Sequence, residues 1–171
     1  MPSSIDERRF PSKKVAPLRE HRTEFLGFTL GGEAYGVALG EVREILKPPP
    51  VTEVPRASPQ IMGIVSVRGL LVTVIDVRKR LRGHTSEPTR RSRILLVEGR
   101  GKEMIGLYVE EVMHVFRLAD SDIEPAPAVL GNQVPEYVTA IGRSAATTLT
   151  LIDLEPILGR AAGAGDISHA T

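Results

Sequence analysis

The sequence contains no cysteine and no tryptophan in 171 residues. Without cysteine there is no disulfide framework, no thiol nucleophile and no thiolate metal site. Aromatic residues make up 4% of the chain, too few to interleave base-stacking platforms with positive charge as single-strand nucleic-acid binders do. Nor is there an excess of one sign of charge. The 22 Lys and Arg face 21 Asp and Glu, a formal net charge of +1, whereas a domain that grips nucleic acid by charge alone is strongly basic. Long apolar runs are missing too. The longest, Gly63 to Val77, is interrupted by Arg68 and Asp76, and a spanning helix takes about 20 apolar residues. No apolar segment follows the basic residues Arg8, Arg9, Lys13, Lys14, Arg19 and Arg22, as a secretory signal requires. We therefore expect a cytoplasmic protein with no membrane insertion.

What is present is aliphatic: 17 Val, 12 Ile and 17 Leu. The β-branched share suits strands, and 16 Gly and 13 Pro punctuate them. This predicts a mainly β protein of many short strands. Residues 1–23 are polar, basic and broken by prolines, and are expected to be a disordered tail. Residues 160–171 are expected to be a second, Ala/Gly-rich tail. The apolar-free stretch Arg82 to Ser92 reads as a linker or exposed loop.

The segments on either side of that loop are alike. Tyr35-Gly-Val-Ala-Leu-Gly-Glu-Val-Arg-Glu-Ile-Leu46 aligns without gaps on Ile105-Gly-Leu-Tyr-Val-Glu-Glu-Val-Met-His-Val-Phe116. Further on, Pro59 to Val65 matches Pro135 to Ile141, and Val72-Thr-Val-Ile-Asp-Val77 matches Leu149-Thr-Leu-Ile-Asp-Leu154. The matches are collinear, which points to an internal duplication. Each unit reads as strand, Gly turn, strand, a short helical turn (Gly40 to Arg43; Glu110 to Met113), strand, Pro-rich stretch, two strands and a terminal helical turn. Five strands in so short a unit suit a small barrel, since closure removes exposed edges. The expected halves are about residues 24–85 and 90–159, with exchange of strands between them left open.

Catalytic chemistry is thin. His21, His84, His114 and His169 have no partners at metal-ligand spacing. Gly99-Arg-Gly-Lys102 fails as a phosphate loop and reads as a hairpin turn. Asp76 and Asp153 occupy equivalent places, each opening a helical turn, where a carboxylate caps free N–H groups; an enzyme built on that pair is a weak alternative. The local cluster Arg78, Lys79, Arg80, Arg82, Arg90, Arg91 and Arg93 keeps a second alternative open, a small nucleic-acid-binding β-barrel. Neither metal nor cofactor is expected.

One residue is out of pattern. Arg68-Gly69 sits at the tip of a hairpin whose strands are otherwise aliphatic, and the second unit carries Ser144-Ala145 at the matching place in the alignment. A need of the barrel itself would be kept in both halves, so the arginine points to a one-sided job: a salt bridge, a binding determinant, or both. Its planar fork can bond a carboxylate while its stem lies on apolar surface. Glu44 is the candidate neighbour, and its repeat partner is His114.

Phe25-Leu-Gly-Phe-Thr-Leu30, Tyr35-Gly-Val37, Val42-Arg-Glu-Ile45, Val54-Pro55, Ile61-Met-Gly63, Val67-Arg-Gly69 and Val74-Ile-Asp-Val77, continued by Ile105-Gly-Leu107, Val112 to Val115, Ile123-Glu-Pro-Ala-Pro127 and Leu151-Ile-Asp-Leu154, together resemble the CheW family of bacterial chemotaxis coupling proteins over about residues 24–159. The resemblance implies two SH3-like five-stranded β-barrel subdomains packed together, with short helical turns. It implies a non-catalytic adaptor whose partners are the regulatory domain of a CheA-type histidine kinase, the cytoplasmic tip of a methyl-accepting chemotaxis receptor and other CheW-like domains. A pathway-specific form that binds receptors but not the kinase fits the same motifs. By motif, Val42, Glu44, Gly63, Arg68 and Gly69 fall on positions tied to receptor or kinase binding, and Val115 on the receptor-binding groove of the second barrel. Val67 and Thr73 depart from the family's frequent Asn and Pro.

Overall fold

The computed structural model describes residues 21–162; residues 1–20 and 163–171, most of the two expected tails, lie outside the described residues, while Arg22 and Thr23 belong to the first strand and residues 160–162 to the last helix, correcting the expected tail boundaries. The strands are β1 (Arg22–Leu30), β2 (Glu33–Ala38), β3 (Val42–Leu46), β4 (Ile61–Val67), β5 (Leu70–Asp76), β6 (Arg93–Glu98), β7 (Met104–Val109), β8 (Glu111–Ala119), β9 (Ile123–Pro125), β10 (Val138–Ser144) and β11 (Thr147–Ile152). Three short helices, α1 (Val77–Arg82), α2 (Ala126–Leu130) and α3 (Leu154–Ala162), complete the set. The protein is mainly β, as its composition predicts.

The strands form two sheets, ordered β3-β6-β7-β5-β4 and β8-β1-β2-β11-β10-β9. Each curls into a small barrel, here barrel one and barrel two. In barrel two the three-residue β9 pairs with β10. In barrel one the same place is taken by a single bridge, Thr52 to Ile64. The two units exchange hairpins. β1–β2 leaves its own half to join barrel two, and β6–β7 joins barrel one. The parallel pairings prove the exchange reciprocal. Thr73 and Val74 pair with Ile105 and Gly106, while Thr150 and Leu151 pair with Tyr35 and Gly36, and these are the same positions of the repeat. Loop 83–92 therefore joins two elements of barrel one, and among the described residues the chain passes between barrels only at the 3-10 turn Leu39–Glu41 and at Glu110.

The exchange explains the aliphatic composition. Leu26, Phe28 and Leu30 of β1, Leu95 and Val97 of β6, and Ile105, Leu107 and Val109 of β7 meet in one cluster between the barrels. Alternate residues fill the barrels themselves: Ile94, Leu96 and Tyr108 in barrel one, and Phe116, Leu118 and Leu149 in barrel two. Strands buried on both faces read as nearly unbroken aliphatic runs. The repeated glycines follow from the same packing. A Cβ on Gly36 would lie 2.9 Å from Leu151 Cδ2, and one on Gly106 would lie 2.8 Å from Ile94 Cγ2.

Several sequence expectations change. The last two strands of the repeat are offset by 77 residues throughout: Asp76 N donates to Gln60 O and Asp153 N to Tyr137 O, both at 2.8 Å. Pairing Pro59 with Pro135 is thus one residue out of register, and the counterpart of Arg68-Gly69 is Ala145-Ala146 rather than Ser144-Ala145. No helical turn follows Glu110, because β8 begins at Glu111. The Pro125–Pro127 stretch opens α2, with proline in the first turn, where its missing donor costs nothing. Loop 83–92 is pinned: Ser86 N and Oγ donate to the Asp76 carboxylate at 2.9 and 2.6 Å. Asp76 also caps α1, accepting from Lys79 N at 3.2 Å, and Asp153 accepts from Glu155 N at 3.0 Å. Both carboxylates hold backbone at a helix start.

Candidate functional site

Arg68 and Gly69 are the two tip residues of the β4–β5 hairpin, with φ of 48° and 81°. Two residues at positive φ make the turn whose twist matches paired strands. Glycine takes this conformation freely; arginine does so at a cost of about 1 kcal/mol or more. The strain belongs to the fold, however, because Ala145 at the tip of the β10–β11 hairpin has φ 49°. What differs between the barrels is the side chain. Arg68 reaches from the tip to β3, where Nη1 and Nη2 donate to Glu44 Oε1 and Oε2 at 2.9 and 2.5 Å. This fork-to-fork pair holds the Glu44 carboxyl below its ordinary range, through the hydrogen bond first and the charge second. The guanidinium stays open to solvent, its side chain 68% exposed.

Below the pair, the mouth of barrel one holds a hollow of about 220 Å³. Its walls are Val67, Val72, Leu96 and Met104, and Arg43, Glu44 and Arg68 stand at the rim. Leu70, at its edge, and the neighbouring Leu71 are 63% and 76% exposed. Their counterparts in barrel two are Thr147 and Thr148. An arginine fork thus stands beside exposed leucines on one barrel only.

The other sequence-named residues fall elsewhere. Val42 is half-buried against the core between the barrels. Gly63 is buried and serves the fold. Its φ is 153°, and a Cβ there would run into the Thr52 carbonyl oxygen and lie 2.7 Å from Val51 Cγ1, where that segment crosses β4. Val115 belongs to the other sheet, on β8, paired with Leu26. Its exposed side chain has a repeat partner in Ile45, and the two are 39% and 43% exposed. The structure thus brings Glu44, Arg68 and Gly69 together and places Val115 on the other sheet. Ile45, Leu70 and Leu71 were missed because exposed leucine and isoleucine within an aliphatic run look like core.

The basic cluster is largely engaged within the chain. Arg78 pairs with Glu110 at 3.3 Å, Arg82 with Glu33 at 2.7 Å and Arg91 with Glu111 at 3.3 Å. Arg80 and Arg93 donate to backbone carbonyls. The paired carboxylates offset part of the cluster's charge within the chain, which weakens the nucleic-acid alternative. Among the described residues no three His, Asp or Glu side chains gather as a metal site, and no helix is long and apolar enough to cross a membrane.

Comparison with known proteins agrees with this picture. Residues 24–162 match the family model of the CheW-like domain. The chain is 32% identical over 135 residues to the chemotaxis protein CheW of Klebsiella aerogenes, covering 79% of this chain and 81% of that one. It is 31% identical over 133 residues to the chemotaxis protein CheW of Bacillus subtilis, covering 78% and 85%. The crystal structure of the scaffolding protein TtCheW from Thermoanaerobacter tengcongensis superposes with a TM-score of 0.70 at 29% identity, covering 79% of this chain and 91% of that one. With two exchanged barrels and a family match across nearly all the described residues, the chain belongs to the CheW family.

Proposed function

We propose that this protein is the adaptor that couples the cytoplasmic tip of a methyl-accepting chemoreceptor to the regulatory domain of a CheA-type histidine kinase, recruited to receptor arrays at the inner face of the membrane. Membership of a scaffold family supports a role without catalysis. The observation that carries the docking assignment is the asymmetry of the two hairpin tips. Barrel one presents the Arg68–Glu44 fork beside Leu70 and Leu71, where barrel two presents Ala145, Ala146, Thr147 and Thr148. Near-neutral charge suits a protein that docks through apolar patches with a few placed charges, and array assembly sums several modest contacts by avidity.

The test is titration of purified chain against the kinase regulatory domain and against a soluble receptor tip, by calorimetry, for Arg68→Ala, Glu44→Ala and Leu71→Ser. Each variant is expected to bind at least one partner about tenfold or more weakly, a loss of hot-spot size, with an unchanged circular-dichroism spectrum. Wild-type affinity for both partners in all three variants would refute the assignment. Retention of receptor binding in a wild-type chain that ignores the kinase would identify the receptor-only form.

A further inference from the structure

The duplication makes each barrel a template for the other, and their mouths differ. On β8, the pairing with β1 is bulged between Leu26 and Phe28, opposite Met113 and His114. Met113 packs onto the interior cluster of barrel two, as do Phe25, Ala34 and Ile123. His114 lies against Phe116, with ring centroids 4.0 Å apart. A bulge re-aims the side chains it carries, and here it turns a methionine inward.

On β3 the same bulge falls between Val42 and Glu44. The counterpart of Met113 is Arg43, and that side chain turns outward, donating to Glu98 Oε2 at 3.0 Å. The counterpart of His114 is Glu44, which is drawn across the rim to Arg68. Nothing from β3 takes the place that Met113 takes in barrel two, and the hollow of about 220 Å³ is found at this mouth.

We propose that the mouth of barrel one is a socket for a single apolar side chain, of methionine or leucine size, presented by the protein that docks on the Arg68 hairpin. This rests on the docking function proposed above. The internal repeat supplies the reason for the occupant's chemistry: at the equivalent place barrel two turns its own Met113 onto its interior cluster. The size agrees, since an apolar cavity of about 150 Å³ is enough to bind benzene. Val67, Val72, Leu96 and Met104 offer a bare charge no partner, so a charged occupant would lose its hydration uncompensated. Met104 adds a flexible thioether that adapts to shape. Leu70 stands at the edge of the hollow and is exposed beyond it, so the segment that delivers the side chain also covers Leu70.

The test uses the full chain labelled with ¹³C at its methionine methyls, with benzene as the probe of the hollow. It also uses the kinase regulatory domain and receptor tip as partners. Arg43→Met gives barrel one the residue that barrel two turns inward. Arg43 is exposed, so the variant is expected to fold. Benzene is expected to shift the Met104 methyl in the wild type but not in Arg43→Met, and the variant is expected to bind at least one partner tenfold or more weakly. Met104→Phe, filling from the opposite wall, is expected to weaken the same partner. Glu98→Gln breaks the Arg43 ion pair without filling the mouth and is expected to bind as wild type. An unshifted Met104 methyl in the wild type overturns the socket and leaves the docking function standing. Filled variants that bind both partners normally overturn the occupant, as does an equal loss in Glu98→Gln. A wild-type chain that binds neither partner refutes the docking function and the occupant with it, a result independent of the benzene shift.

Discussion

The core between the barrels predicts that they unfold together, and Leu107→Ala is the substitution that tests it. Leu107 lies on β7 of barrel one but turns outward into the shared cluster, where it is 2% exposed. Leucine-to-alanine changes at buried sites cost about 2–5 kcal/mol, through lost transfer energy and the cavity left behind. At about 2–4 °C per kcal/mol for a chain of this size, the melting temperature should fall by about 5–20 °C. The three described methionines report on the barrels separately, because Met62 and Met104 pack on the interior of barrel one and Met113 on that of barrel two. Methyl NMR through a thermal or urea transition therefore reads both barrels in one sample. All three signals should lose native dispersion at one midpoint in the wild type, and at one lower midpoint in Leu107→Ala. Each barrel takes two strands from the other half of the chain, and both barrels line the shared core, so neither is expected to fold alone. Survival of the Met113 signal after Met62 and Met104 have melted would refute this.

The remaining expectations are local. Glu44, held below the usual carboxylate range by Arg68, contributes stability that is present above its unfolded pKa and lost only as pH falls through the depressed folded value. Carboxyl ¹³C NMR should show that low midpoint, and Arg68→Ala should return it toward the ordinary one. Gly69→Ala, with open space around its Cβ and φ of 81°, should cost about 1–2 kcal/mol and keep the fold, and Gly63→Ala should cost more than Gly69→Ala, because backbone crosses that site; chemical denaturation ranks the two. Asp76→Ala should lose about 0.5–2 kcal/mol from the α1 cap and speed amide exchange across residues 83–92, since the same carboxylate anchors Ser86. Unchanged exchange there would detach the loop from Asp76.

The strands were legible in the sequence because side-chain alternation and β-branching are local. So was the duplication, from Gly36 and Gly106, which a barrel interior requires at the same point in each copy. The exchange of hairpins was not legible: the pattern of β1–β2 is identical whichever sheet receives it, and only the parallel pairs of Thr73 with Ile105 and Thr150 with Tyr35 decide. The register slip at Pro59 has a similar origin, since a shared proline attracted the alignment while backbone hydrogen bonds count residues differently.

That one-residue correction changes what the candidate site means. With Arg68 matched to Ala145, the two tips share a left-handed first residue, so the unusual backbone is a property of the hairpin and carries no functional weight. The tips part at their second residue, where Gly69 has φ of 81° and Ala146 is not left-handed, and above all in side chains: a guanidinium where there is a methyl, Glu44 where there is His114, Leu70 and Leu71 where there are Thr147 and Thr148, and Arg43 turned out where Met113 turns in. Arg68 stood out in the sequence because it interrupts an aliphatic run. Its leucine neighbours did not, because an exposed leucine interrupts nothing; the two-residue turn at Arg68-Gly69 puts them at the hairpin end, where Val72 is the first of the strand to be buried. Duplication followed by divergence at these few positions turns Met113 inward in one barrel and leaves a hollow beside the Arg68–Glu44 fork in the other, and unlike mouths are what the proposed adaptor would use to tell its two ends apart.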